Sequence, residues 1–126
     1  MSTVETRRYG VRARSTETFG RVLWSCRDQH FVADGPVHNG CPGEAVTPAE
    51  LFLAGIATCG VELVQVLAQA SDVPLEAVHA EISGELDPTN PVRADVNVFN
   101  SVRLFFQLAG VTEEQGAELV EGFKRR

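Results

Sequence analysis

No long basic run occurs anywhere in the 126 residues. Lysine and arginine together number 11 against 17 aspartates and glutamates, a formal net charge of −6. Such a chain would repel a phosphate backbone, and nucleic acid is not an expected partner. Uninterrupted apolar runs are missing too. The longest stretch, Leu51 to Val66, is broken by Gly55, Thr58, Gly60 and Glu62. It reads as too short and too polar for a bilayer span, which needs about 20 apolar residues, so no membrane partner is expected. The first residues, Met1 to Arg8, hold no apolar h-region, and no secretory leader is expected. Cysteine is scarce and odd in number: Cys26, Cys41 and Cys59. That argues against a secreted disulfide framework and for a reducing, cytoplasmic setting, where the question is whether any thiol is reactive. Neither Gly-rich phosphate loop is present, and the spacing supports no Ser-His-Asp arrangement.

Hydrophobic residues make up 44% of the chain and charged residues 22%, enough to fill a core in one domain over residues 1–126. Residues 8–34 read as strands. Val11 and Ala13 alternate with Arg12 and Arg14, and Arg21–Ser25 and His30–Ala33 are short β-rich runs on either side of polar Arg27-Asp28-Gln29. The glycines and prolines of residues 34–47 predict a loop. Thr47-Pro48-Ala49-Glu50 is then a capping box with proline at the first helical position, opening a helix to about Ala70. That helix is apolar nearly all round, which predicts burial. Val78, Ala80 and Ile82 alternate with polar residues in a half-buried strand, and a further strand region runs from Val96 to Leu108. Thr112-Glu113-Glu114-Gln115 is a second capping box, and the helix behind it closes on Lys124-Arg125-Arg126, favourable at a helix C-terminus. The order β-β-β-α-β-β-α is that of an α+β domain.

Taken residue by residue, Cys59 is the thiol of interest. It lies in the fourth turn of a helix that starts at Pro48, beyond the reach of the helix dipole, so a cationic neighbour or a partner chain would have to stabilise a thiolate there. Glu62, three residues on, opposes that unless an arginine pairs with it. Cys41 sits in the glycine-rich loop before the helix, and Cys26 lies beside Trp24 on a strand. Cys26-x3-His30 and His38-x2-Cys41 resemble zinc spacing only loosely, without a C-x-x-C knuckle, so the histidines read as surface residues and no metal is expected. Arg7, Arg8, Arg12 and Arg14 form the one basic cluster, on a solvated strand edge or at a contact. Phe99, Phe105, Phe106 and Phe123 read as core or interface.

The segment HFVADGP…NGCPGEAVTPAELFLAGIATC, and above all T-P-x-E-L-F-x-A-G-x-A-x-C over residues 47–59, resembles the OsmC/Ohr family of thiol-dependent hydroperoxide reductases. Pro74-Leu75-Glu76-Ala77-Val78, Gly84-Glu85-Leu86 and Val111-Thr112-Glu113-Glu114-Gln115 extend the likeness, which runs from about residue 20 onwards. The resemblance implies an intertwined homodimer with two central helices against antiparallel sheet. It implies a peroxidatic role for Cys59, which would attack the distal peroxide oxygen and become a sulfenic acid. An organic hydroperoxide as substrate, a thiol reductant and no cofactor are implied with it. The family resolves the sulfenic acid with a second cysteine, in a Cys-Pro step expected just past Arg126, which leaves open whether the C-terminal end is complete. Cys41, at the pocket's border in a family-like fold, is the alternative resolving thiol. The family's glutamate ten residues before the reactive cysteine is Ala49 here, and Asn39 lies where some members place the arginine. Glu50 next door, turned about 100° round the helix, and Arg21 (or Arg14) are left to complete the site. A catalytically lapsed protein that binds a small apolar or thiol-reactive ligand at the dimer interface is the alternative function.

Overall fold

The computed structural model describes residues 5–95 and 98–125. By its internal contacts the chain forms two compact units, Met1–Leu51 and Phe52–Arg126.

The first unit is an antiparallel meander of β1 (Arg12–Ser15), β2 (Arg21–Cys26) and β3 (Gln29–Asp34). The turn into β2 is closed by Thr16, whose hydroxyl accepts from the Thr18 amide at 3.1 Å and donates to the Arg21 carbonyl at 3.0 Å. Between β2 and β3 the turn is Arg27-Asp28, with Arg27 at φ +54°. Counting outward from it pairs Trp24 with Phe31 and Arg21 with Asp34. Trp24 and Phe31 stack at a centroid distance of 4.2 Å, a cross-strand aromatic pair of the kind that holds a register. The loop after β3 holds one 3-10 turn, Val37–Asn39. It ends where Thr47 and Glu50 build the expected capping box and start α1 (Pro48–Ala70).

In the second unit, α1 ends at Ala70 and is stopped by Asp72, which takes φ +57° while the Val73 amide donates to the Ala68 carbonyl at 2.9 Å. This is a Schellman stop without its usual glycine. The β4 (Ala77–Glu85) and β5 (Ser101–Ala109) strands pair antiparallel at all nine positions, Ala77 opposite Ala109 and Glu85 opposite Ser101. Thr112 and Gln115 form the second capping box and open α2 (Glu113–Lys124). Val64, Ala68 and Leu119 are the buried centre, wrapped by Leu67, Val78, Phe106, Leu108 and Phe123 among others.

The element order and α+β class agree with the sequence reading, and Val96 and Arg126 lie outside the described residues. The strands form an antiparallel sheet of three and another of two. Two points differ. The apolar character of α1 predicts full burial, yet Gly60, Val64 and Ala68 are its only buried residues among those described. Its contacts with β5 and α2 cover one stripe, at a spacing of four, and Phe52 and Val66 face outward. By length and composition α1 also passes as a bilayer-crossing helix, contrary to the reading of its Leu51–Val66 portion, because the helix runs on to Ala70. Its buried stripe packs on β5 and α2 as a core helix does.

Gly60 shows how tight that stripe is. A Cβ there would lie 2.8 Å from Phe106 Cζ, and Phe106 is backed edge-on by Phe123 with centroids 5.6 Å apart. Alanine improves helix propensity by about 1 kcal/mol, but overpacking a filled core costs roughly 1–3 kcal/mol. Gly60→Ala is therefore expected to lower the urea midpoint. A raised midpoint would show that Phe106 moves aside freely.

Candidate functional site

Of the residues singled out from the sequence, Arg21, Cys41 and Glu50 belong to the first unit and Cys59 to the second.

Arg21 stands on β2 directly across from Asp34, the last residue of β3. Its Nε donates to Asp34 Oδ1 at 2.8 Å and its Nη2 to Oδ2 at 2.9 Å, a two-pronged pairing. The same Nη2 donates to Glu44 Oε1 at 2.9 Å. Asp34 has a relative exposure of 0%. Beyond Arg21, its Oδ2 accepts the Glu44 amide at 3.0 Å and the Ala45 amide at 2.8 Å, and its own amide donates to the Val46 carbonyl at 3.0 Å. A buried carboxylate is tolerated where partners satisfy it, and this one is surrounded by donors. The Arg21 guanidinium, and after it the Ala45 and Glu44 amides, hold the Asp34 carboxyl well below the usual carboxylate range, against the opposing effect of burial. The Asp34 and Glu44 carboxylates push the Arg21 guanidinium further up still.

Neither Asp34 nor Glu44 was singled out from the sequence. The residues after Ala33 read as loop, and aspartate beside Gly-Pro is a poor strand former. A usable signal was the polar turn: outward counting from Arg27-Asp28 already sets Arg21 opposite Asp34.

Cys41 is half-buried in the loop that this carboxylate anchors. Two glycines make room for it: a Cβ on Gly20 would lie 2.6 Å from Cys41 Cβ, and one on Gly35 would lie 2.5 Å from its Sγ. The loop is tied by hydrogen bonds from the Gly35 amide to the Gly20 carbonyl at 2.8 Å and from the Gly43 amide to the Gly35 carbonyl at 3.1 Å. Glu50 is committed to the helix start. Its Oε1 accepts the Thr47 amide and hydroxyl, both at 2.9 Å, and its own amide donates to the Thr47 hydroxyl at 3.3 Å. Those donors hold the Glu50 carboxyl below its ordinary value.

Cys59 lies on the exposed side of α1, next to inward-facing Gly60. One residue back, the Thr58 hydroxyl donates to the Ala54 carbonyl at 2.8 Å. Glu62, a turn further on, is exposed and forms no ion pair among the described residues. Cys26 is half-buried at the end of β2. Among the described residues no three of His, Cys, Asp and Glu gather as metal ligands would.

The helix start, the cysteine on its outer side and the second hairpin with its helix all lie in the part of the chain that a family comparison covers. A sequence model of the family described as OsmC-like protein matches residues 41–126. The chain belongs to the OsmC-like family. Its fold matches solved members. An OsmC-like protein from Mycoplasma pneumoniae superposes with a TM-score of 0.81 at 17% identity, covering 97% of this chain and 84% of the other. A Legionella pneumophila protein named as organic hydroperoxide resistance protein OsmC gives 0.75 at 20% identity, over 97% and 85% of the two chains. An organic hydroperoxide resistance protein from Elizabethkingia anophelis gives 0.76 at 17%, over 99% and 85%. At these identities the likeness shows the fold alone. No curated protein matches in sequence.

Removing the charge at Asp34 tests the clamp. Asp34→Asn leaves Arg21 without its buried partner and is expected to lower Tm by on the order of 10 °C at neutral pH. The folded carboxyl titrates below its ordinary 3.8, so its contribution is complete above that value and is lost as the pH falls through the depressed folded value. The Tm gap between wild type and Asp34→Asn should accordingly shrink from about pH 5 to about pH 2. A gap independent of pH would mean that the ion pair does not stabilise the fold.

Proposed function

We propose that this OsmC-like chain is a thiol-dependent peroxidase that reduces organic hydroperoxides through Cys59. The observation that carries the reading is the exposure of Cys59 on α1, at the end of the T-P-x-E-L-F-x-A-G-x-A-x-C stretch. The names of the Legionella and Elizabethkingia structures support the substrate class.

In the proposed reaction the Cys59 thiolate attacks the distal oxygen of ROOH. The O–O bond breaks, the alkoxide leaves with a proton as ROH, and Cys59 is left as a sulfenic acid. A thiol then condenses with the sulfenic acid, releasing water and forming a disulfide, and a second thiol returns Cys59 to its reduced form. Arg21 is the proposed cation for the thiolate and the departing oxygen. Asp34 and Glu44 use its Nε and Nη2, which leaves Nη1 for that role. Glu50 is a positioning residue, setting where α1 begins. Cys41 is the candidate resolving thiol within the chain. The exposed apolar residues of α1, Phe52 and Val66, together with Val32 and Phe31 of β3, support a homodimer that covers them. A cytoplasmic setting suits three cysteines that form no disulfide.

A lapsed, ligand-binding function is the second reading. It is favoured by the full engagement of Glu50 with Thr47 and by Glu62 beside Cys59, neither of which promotes a thiolate.

Peptide-mapped mass spectrometry after one equivalent of an organic hydroperoxide tests the reading on the fully reduced protein. Sulfenic acid or a disulfide on Cys59 is expected, with Cys59→Ser reducing peroxide no faster than free thiol does. Should Cys59 stay a thiol while the peroxide persists, the ligand-binding reading takes its place.

A further inference from the structure

Alternate residues of a β-strand share a face, and the register of the β1–β2–β3 meander lines those residues up across all three strands. Arg12 of β1 stands opposite Ser25 of β2, which stands opposite His30 of β3. These three form a polar row beside the Arg27-Asp28 turn. The next row on the same face is Arg14, Leu23 and Val32. Neighbouring strands are about 4.8 Å apart and successive rows on one face about 6.8 Å apart. Two guanidinium groups, a hydroxyl and an imidazole therefore stand within reach of one small ligand.

Both rows line a single cavity of about 670 Å³, a volume within the range of small-molecule sites. No carboxylate lines it, in a chain whose net charge is −6. Arg21, the next residue of β2 on this face, supplies the contrast, since Asp34 and Glu44 both meet it. Arg12 and Arg14 have no acidic partner among the described residues. Arg12 is nevertheless held in place. Its Nη2 donates to the Arg27 carbonyl at 3.3 Å, which leaves Nε and Nη1 for a ligand.

The count of charges selects that ligand. Two permanent cations match a dianion, and a phosphate monoester carries close to two negative charges at neutral pH on three acceptor oxygens. Guanidinium groups bind such oxygens through charge-assisted hydrogen bonds, and the Ser25 hydroxyl and the His30 ring add donors. Leu23 offers apolar surface to an organic substituent. Val32 closes the apolar row where the proposed homodimer makes contact, and the polar row contains no residue assigned to that contact.

We propose that this face of the meander binds a phosphate dianion, with Arg12, Arg14, Ser25 and His30 as donors and Leu23 beneath the organic part of a monoester. The site belongs to the first unit alone and stands whether or not Cys59 reduces peroxides.

The test is calorimetric titration of phenyl phosphate into the whole protein at low ionic strength. Arg12→Gln and Arg14→Gln are each expected to weaken binding roughly tenfold or more, the scale of a hydrogen bond to a charged group. Arg8→Gln removes the same charge from outside the cavity and is expected to leave the affinity unchanged. In proton NMR the His30 ring signals should move on saturation while those of His79 on β4 stay in place. Benzoate, with the ring but a single charge, is expected to bind more weakly. Phenyl phosphate binding tighter than inorganic phosphate assigns an organic monoester, and equal affinities assign free phosphate; either upholds the site. Benzoate as tight as phenyl phosphate overturns the dianion, and binding that leaves His30 unmoved overturns the placement. Arg8→Gln weakening binding as much as Arg12→Gln reduces the effect to general charge and overturns the site, as does the absence of heat at millimolar phenyl phosphate.

Discussion

The first unit depends on a buried carboxylate. Asp34 has no access to water, and it is tolerated because a guanidinium fork and two backbone amides meet it. Those donors come from β2 and from the far end of the following loop, so satisfying one charge closes the loop from Gly35 to Val46. Cys41, the turn at Val37–Asn39 and the start of α1 all follow from where that loop is fastened. Hydrophobic burial alone would not do this. Ala33 and Asp34 are the buried residues of the first unit among those described, and one of the two is charged.

The second unit is organised by close packing. Gly60, Val64 and Ala68 present a smooth stripe, and Phe106 and Phe123 close on it edge to face. Other residues of α1, Phe52 and Val66 among them, remain exposed, and Cys59 is exposed too. One helix thus serves two demands. A narrow strip holds the fold, and the broad outer surface is available for chemistry or for a second chain.

Much of this was legible in the sequence, for identifiable reasons. Capping boxes are local, so Thr47-Glu50 and Thr112-Gln115 announced both helices at their first turns, and alternation announced β4. The OsmC-like motif singled out Cys59 because it is contiguous with the first box. Asp34 and Glu44 were hidden because their meaning is nonlocal: a carboxylate beside Gly-Pro looks like turn chemistry until the strand opposite is known. Burial of α1 was overestimated for a related reason. Periodicity reports how many faces of a helix are apolar, and a short sheet and one further helix cover only one of them.

The stacked pair Trp24–Phe31 also has a spectroscopic consequence. The chain has one tryptophan and one tyrosine, and both lie in the first unit. Ultraviolet emission excited in the indole band therefore reports on the surroundings of Trp24 in the β1–β2–β3 meander. Most of α1 and all of α2 are in the second unit, so helical circular dichroism reports mainly there. Two ordinary optical signals thus separate the halves of this small protein without any label, and any lag between them on heating measures how cooperatively the halves melt.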